Sequence, residues 1–215
     1  MVGKMTTPHS VIFGGSFDPL HNGHLDIMHY VLQTLHAKQL ILLPTFCSPF
    51  KKGFLLSPKE RLIMCEMTSA YLATCYPQAH IMTCDFEVMQ SKPTYSIESV
   101  RFLKKTLGDS TRLGFVLGWD NYAQFHLWKD YTILSSMLSL LVFDRGNHDL
   151  TSFNALTQGL GLKDLEAHFI PFCSAISSSY IREQLTKKNC VNEVFGQIPS
   201  FLVPTLKDFL HKHLL

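Results

Sequence analysis

Gly14-Gly15-Ser16-Phe17-Asp18-Pro19-Leu20-His21-Asn22-Gly23-His24 is the stretch on which the reading of this chain turns. Before it, Val11-Ile12-Phe13 reads as a short buried strand. After it, Leu25, Met28, Val31, Leu32 and Leu35 recur at three- and four-residue spacing, as on one face of a helix. The stretch is a strand-to-helix crossing, with two glycines at the strand exit and two histidines where the helix begins. Free N–H groups and the positive end of the helix dipole meet there, which suits an anion. Glycines admit a ligand close to the backbone, and imidazoles donate to phosphate oxygens. A nucleotide phosphate site is the first expectation. Two plainer readings stay open: a surface turn with incidental histidines, and a metal held by His21 and His24. No neighbouring acidic or cysteine cluster completes a ligand set for the second.

Composition bounds the rest. The 215 residues suit one domain, residues 1–215, with 1–9 expected as an N-terminal tail, and 46% hydrophobic content is enough for a full core. A net charge of +2, carried by scattered basic residues, does not favour nucleic acid. The longest apolar runs, such as Leu138-Ser139-Leu140-Leu141-Val142-Phe143, are of strand length and too short for a bilayer. The first ten residues lack an apolar signal core, so export is not expected. The six cysteines at 47, 65, 75, 84, 173 and 190 form no CxxC pair, which fits reduced thiols in a cytoplasmic protein.

Short apolar runs alternate with amphipathic stretches along the chain. Strands are expected over 10–13, 39–43, 80–84, 113–117, 139–143 and 168–170, with helices between them. That order predicts an α/β class: a Rossmann-like open parallel sheet with helices on both faces. Ser57-Pro58-Lys59-Glu60 has the form of a capping box opening a helix that ends before Pro77. A further helix over 96–107 ends at Gly108, and Pro204 opens a last one through Leu206, Phe209, Leu210 and Leu214. Ligands in such sheets bind beyond the carboxyl ends of the strands. Five segments fall there: 14–24, 44–51, 118–121, Arg145 and 177–182.

GGSFDPLHNGHL resembles the N-terminal signature of the HxGH nucleotidylyltransferase superfamily over eleven consecutive positions. Later segments resemble its nicotinate-nucleotide adenylyltransferase branch. Ile176-Ser177-Ser178-Ser179-Tyr180-Ile181-Arg182 is similar to the ISSTxIR motif. Residues 44–51 are similar to PxxxPPHK, 93–98 to GPSYTxD, and 117–121 with 125–128 to IGADS…LPxW. The resemblance spans about residues 10–215. It implies ATP binding by Gly14, Gly15, Ser16, Phe17, Asp18, His21, Gly23, His24, Gly118, Asp120, Arg145, Ser177, Ser178 and Arg182. It implies mononucleotide binding by Lys51, Thr94, Tyr95, Asp120 and Trp128, the tryptophan stacking on the pyridine ring. His21, His24 and Arg182 are then the catalytic residues, with Mg²⁺ entering on ATP and no metal site of the protein's own. Three positions keep a plainer alternative. Asp18 caps its loop or orients the phosphate complex, Lys51 binds substrate or is a solvated loop lysine, and Trp128 is a platform or core.

The implied reaction joins nicotinate mononucleotide to the AMP part of ATP, releases pyrophosphate and gives deamido-NAD. Its nucleophile is already a phosphate, so in-line placement and charge neutralisation suffice. The departures cluster in the mononucleotide half: Phe50 for histidine, Ser48 for proline, Glu98 for aspartate and Trp119 for alanine. Gln90 and Ser91 stand where an arginine is usual. The alternatives are a nicotinamide mononucleotide or phosphopantetheine adenylyltransferase, and a nucleotide-binding sensor without turnover. ATP and nicotinate mononucleotide are the expected partners, with no nucleic acid or membrane; oligomeric state is left open.

Overall fold

Strand β1 (Ser10–Gly15) feeds helix α1 (Asn22–Gln33), then β2 (Gln39–Pro44), α2 (Pro58–Cys75) and β3 (His80–Thr83). The chain continues through α3 (Phe86–Met89), α4 (Ser96–Leu107), β4 (Leu113–Gly118), α5 (Trp119–Ala123), α6 (Tyr131–Met137) and β5 (Leu138–Asp144). It ends with α7 (Leu150–Gly159), β6 (Ala167–Pro171), α8 (Ser178–Thr186), α9 (Val191–Gly196) and α10 (Val203–Leu214). This computed structural model describes residues 8–47, 53–108, 113–146, 148–161, 165–172, 176–186 and 191–214.

The six strands form one parallel sheet in the order β3-β2-β1-β4-β5-β6. All six residues of β2 and all seven of β5 are buried, as strands covered on both faces must be. Alternate side chains enter separate cores. Val11, Leu40, Leu42, Leu141 and Phe143 pack under α1, α2 and α8–α10, while Ile12, Ile41, Leu43, Leu140 and Val142 pack under α4–α7. Ser57 opens α2 with the capping box read from the sequence: its Oγ accepts from the Glu60 N–H at 3.3 Å, and its own N–H donates to the Glu60 carboxylate at 2.9 Å. Gly108 closes α4 at φ +104°, a conformation that favours glycine.

Boundaries differ from expectation at the N-terminus and at the strand ends. The tail expected over residues 1–9 does not extend through its last positions: Pro8 is buried and the His9 carbonyl accepts from the N–H groups of Lys38 and Gln39, both at 3.0 Å. Residues 1–7 lie outside the described residues. The strands β1, β2 and β4–β6 each run one or two residues past the expected end, because ladder pairing continues to Gly15, Pro44, Gly118, Asp144 and Pro171, while β3 ends at Thr83, one residue short of the expected 84.

The sheet order turns at β1. Helix α1 carries the chain to β2 on one side, and β4 adds to the other side of β1. The carboxyl ends of β1 and β4 therefore border a crevice, the usual ligand position in open α/β sheets.

Candidate active site

A cleft of about 560 Å³ occupies that crevice. Its floor is the β1 exit and the start of α1. Gly14 and Gly15 are there because side chains would not fit: a Cβ on Gly14 would come within 3.3 Å of the Phe115 ring, and one on Gly15 within 3.1 Å of Phe17. Phe17 turns the chain at φ +47°, with its ring fully buried below the loop. Ser16, His21, Gly23 and His24 complete this wall.

His21 is the N-cap residue of α1 and His24 lies in its first turn. The His21 N–H donates to Nδ1 of His24 at 3.3 Å. That bond sets Nδ1 as an acceptor, so the neutral ring carries its proton on Nε2, the nitrogen suited to donate to an anion. Phe13 and Phe17 pack edge-on or tilted against the His24 ring at 5.9 and 5.2 Å. The start of α1 is also tied down from outside, since Asn22 donates through its N–H and its amide to the Gln197 and Gly196 carbonyls.

A second wall comes from β4 and the chain after it: Gly118, Asp120 and Trp128 all border the cleft, as does Arg145 beyond β5. The Trp128 indole stands against Phe115 (6.1 Å, 81°) and Phe125 (5.4 Å, 49°), half-buried, with its remaining surface on the cleft. Across from it are Thr94 and Tyr95, at the entry to α4. Lys129 Nζ sits 4.5 Å over the Tyr95 ring, joining the two walls by a cation–π contact. The third wall is the start of α8. There the Ser177 Oγ accepts from the Tyr180 N–H (3.2 Å), a helix cap, and Ser178 donates to the Pro19 carbonyl (3.2 Å).

Two residues expected on the phosphates are placed otherwise. The Asp18 carboxylate is 1% exposed and accepts from the Leu55 and Leu56 N–H groups at 3.0 and 2.8 Å, so it holds a loop and does not face the cleft. Arg182 is not on the cleft wall either. Its Nη1 donates to the Asp18 carbonyl at 2.7 Å and lies 3.5 Å from the Asp18 carboxylate, and its Nη2 donates to Ser179. The reason is geometric: α8 packs beside the β1 exit, and the guanidinium one turn in meets the underside of the loop. Lys51 lies outside the described residues.

Sequence reasoning passed over three features. Arg61 of α2 is completely buried and donates to the carbonyls of Leu56, Ser16, Thr45 and Phe46 at 2.6–3.3 Å. It ties the phosphate loop after β1 to the loop after β2, and burial lowers its pKa against the opposing pull of Asp18. Glu87, 4% exposed at the cleft edge, accepts from the Ser99 hydroxyl at 2.7 Å, and burial pushes its carboxyl up to about 7. The indole of Trp119 lies flat on the imidazole of His148, which is anchored to Asp144. An arginine or glutamate inside an otherwise apolar helical face is the available signal for the first two. The last pairs residues 29 positions apart and had none.

Over residues 12–184 the chain matches the family described as cytidylyltransferase-like. It is 32% identical over 190 residues to the "Probable nicotinate-nucleotide adenylyltransferase" of Campylobacter jejuni subsp. jejuni serotype O:23/36 (strain 81-176), covering 88% of this chain and 94% of that protein. A protein of the same description from Helicobacter hepaticus is 30% identical over 213 residues, covering 91% and 93%. The structure of the Plasmodium falciparum nicotinic acid mononucleotide adenylyltransferase complexed with NaAD has the same fold, with a TM-score of 0.68 at 19% identity over 93% of this chain and 97% of that one. With its GGSFDPLHNGH crossing at the centre of the cleft, this chain belongs to the cytidylyltransferase-like family and, within it, to the nicotinate-nucleotide adenylyltransferases.

Proposed function

We propose that the cleft joins nicotinate mononucleotide to the AMP moiety of ATP, releasing pyrophosphate and forming deamido-NAD for NAD biosynthesis. One observation carries this reading: His21 and His24, at the N-terminus of α1, share a cleft with Trp128 and Tyr95. A central anion site thus has an aromatic slot beside it, as a substrate made of a phosphate and a flat ring requires. The solved relatives in complex with NaAD and with an ATP analogue support the same pairing of ligands.

The chemistry asks little covalent work of the protein. A phosphate oxygen of the mononucleotide attacks the α-phosphorus of ATP, a new P–O bond forms, and the bond to the bridging oxygen breaks as pyrophosphate leaves. The N–H groups at the start of α1, with the Nε2–H of His24, neutralise charge on the phosphates as it shifts towards the leaving group. Gly14 and Gly15 let the nucleotide lie against the backbone, and Trp128 with Tyr95 fixes the acceptor ring. Ser177 and Ser178 shape the phosphate wall through the start of α8. Asp18 and Arg182 act at one remove, by holding the loop on which the histidines stand.

Mg²⁺ belongs to the reaction as a companion of ATP, where it would offset charge on the departing pyrophosphate. Among the described residues no group of three or more His, Cys, Asp or Glu could hold a metal. Phosphate oxygens of ATP and water would supply most of its ligands, as is usual for this ion at phosphate substrates. A cytoplasmic setting completes the reading, supported by the buried free thiols Cys65 and Cys84.

The test is pyrophosphate release from ATP and Mg²⁺ with nicotinate mononucleotide, nicotinamide mononucleotide or phosphopantetheine as acceptor. Release with the nicotinate compound is the expected result. Release only with another acceptor would replace the substrate and keep the chemistry. ATP binding without release from any acceptor would make the chain a nucleotide sensor.

A further inference from the structure

Trp119 and His148 form a parallel stack, 3.9 Å between centroids and 9° between planes, on the cleft wall beyond β4 and β5. The stack is backed and anchored. Phe169 meets Trp119 edge-on at 6.3 Å. The His148 Nδ1 lies 2.8 Å from the carboxylate of Asp144, which is 2% exposed and also accepts the N–H groups of Gly146 (3.0 Å) and His148 (2.9 Å). A buried carboxylate at the end of β5 thus folds the following turn around itself and fixes one imidazole. The side chain of His148 keeps 33% of its surface exposed. One of its faces is covered by Trp119, so the exposed surface is the opposite face and the far edge, at the cleft.

The sheet order gives this a meaning. The central phosphate site lies at β1. Trp128 and Tyr95 hold one flat ring near the α4 entry, and the stack stands further along the edge, over β4, β5 and β6. A nucleotide bound through its phosphates at α1 has its second ring to place, and His148 offers a pre-oriented aromatic face there. We propose that the outer face of His148, backed by Trp119 and locked by Asp144, is the platform on which the purine base of the nucleoside triphosphate stacks. This rests on the adenylyltransferase reading and assigns its base-binding wall to His148, outside the recognised motifs, backed by Trp119, a departure within one of them. Stacking is sequence-tolerant but favours larger π surfaces, so the platform also selects a purine over a pyrimidine triphosphate.

The experiment measures binding of ATP, CTP and inorganic tripolyphosphate by calorimetry to the full chain and to His148→Ala and His148→Phe, with folding checked by circular dichroism. His148→Ala should bind ATP roughly tenfold more weakly and tripolyphosphate unchanged, and its preference for ATP over CTP should shrink. His148→Phe, which keeps a ring face, should restore most of the ATP affinity. Unaltered ATP binding by His148→Ala overturns the platform, as does an equal loss for tripolyphosphate, which would make His148 a phosphate contact. Failure of the unaltered protein to bind ATP at all would instead overturn the adenylyltransferase reading itself.

Discussion

The imidazole rings of His21 and His24 stack 3.8 Å apart, centroid to centroid, and 28° from parallel. His21 is 2% exposed, so the outer ring rests on an inner one that the fold holds rigidly. Under the proposed function the outer ring is a donor held in place before any ligand arrives, the arrangement that lowers a charge-transfer barrier without reorganisation.

His24→Ala removes the outer ring together with the bond it accepts from the His21 N–H. Turnover should fall ~10²–10³-fold, as when one preorganised donor to developing charge is lost. The melting temperature should move little, because His24 is only half-buried. Steady-state kinetics beside a thermal scan separates the two, and an unchanged kcat would remove His24 from the catalytic set.

Arg61 has no access to solvent and serves the carbonyls of Ser16, Thr45, Phe46 and Leu56. Arg61→Met leaves those acceptors facing an apolar side chain. A loss of about 2–4 kcal/mol is expected from bonds of this charged kind. Urea unfolding would show it as a lower midpoint at constant slope.

Glu87 supplies a pH prediction. Its folded-state pKa is raised from 4.5 to about 7, chiefly by burial, with Ser99 partly offsetting this and Glu98 adding to it. The folded protein therefore holds the proton more tightly than the unfolded chain. The corresponding stability is complete below about pH 4.5 and is lost as pH rises through about 7. Glu87→Gln should abolish this slope and exceed the parent's stability near neutral pH, by on the order of 2–3 kcal/mol. Unfolding free energies at several pH values check it; parallel curves for the two proteins would refute it.

Trp128 packs on Phe115 and Phe125 by its edges and faces the cleft with the rest. Trp128→Leu keeps bulk and loses the ring. The KM for nicotinate mononucleotide should rise roughly tenfold, the scale of one aromatic stack. The KM for ATP should stay within a factor of about two, and a change shared equally by both substrates would mean that the indole is structural.

Much of the architecture was legible along the chain. Six short runs, from Val11-Ile12-Phe13 to His168-Phe169-Ile170, name the six strands, and the inner ones read most clearly, because a parallel strand covered on both faces has no polar alternation to obscure it. The capping box at Ser57 and Glu60 and the stop at Gly108 are local devices, complete within a few residues, and both stand in the structure as read. Cleft segments were legible for a similar reason: residues 14–17, 118–121, Arg145 and 177–178 follow strands or open helices, and such positions gather at one sheet edge, while Thr94 and Tyr95 were legible only through the resemblance.

Asp18 and Arg182 show where that reading stops. Sequence placed Arg182 on the phosphates and left Asp18 between capping its loop and orienting the phosphate complex, since each lies inside a motif. Which way a side chain points at a loop depends on what packs beneath it, and α8 meets the loop after β1 through contacts between residues some 160 positions apart, such as Arg182 with Asp18.

The sequence by itself determined the class of the fold and the strand-to-helix crossing at Gly14–His24, because periodicity, capping and glycine placement are short-range; the nucleotidyl-transfer chemistry came from the resemblance of its motifs to a known family. Only the tertiary structure decided that Asp18 and Arg182 brace the loop, that Arg61 joins two loops from within, and that Trp119 meets His148. These depend on contacts across separate strands, and burial and orientation at such contacts are properties of the packed sheet, not of any local run of residues.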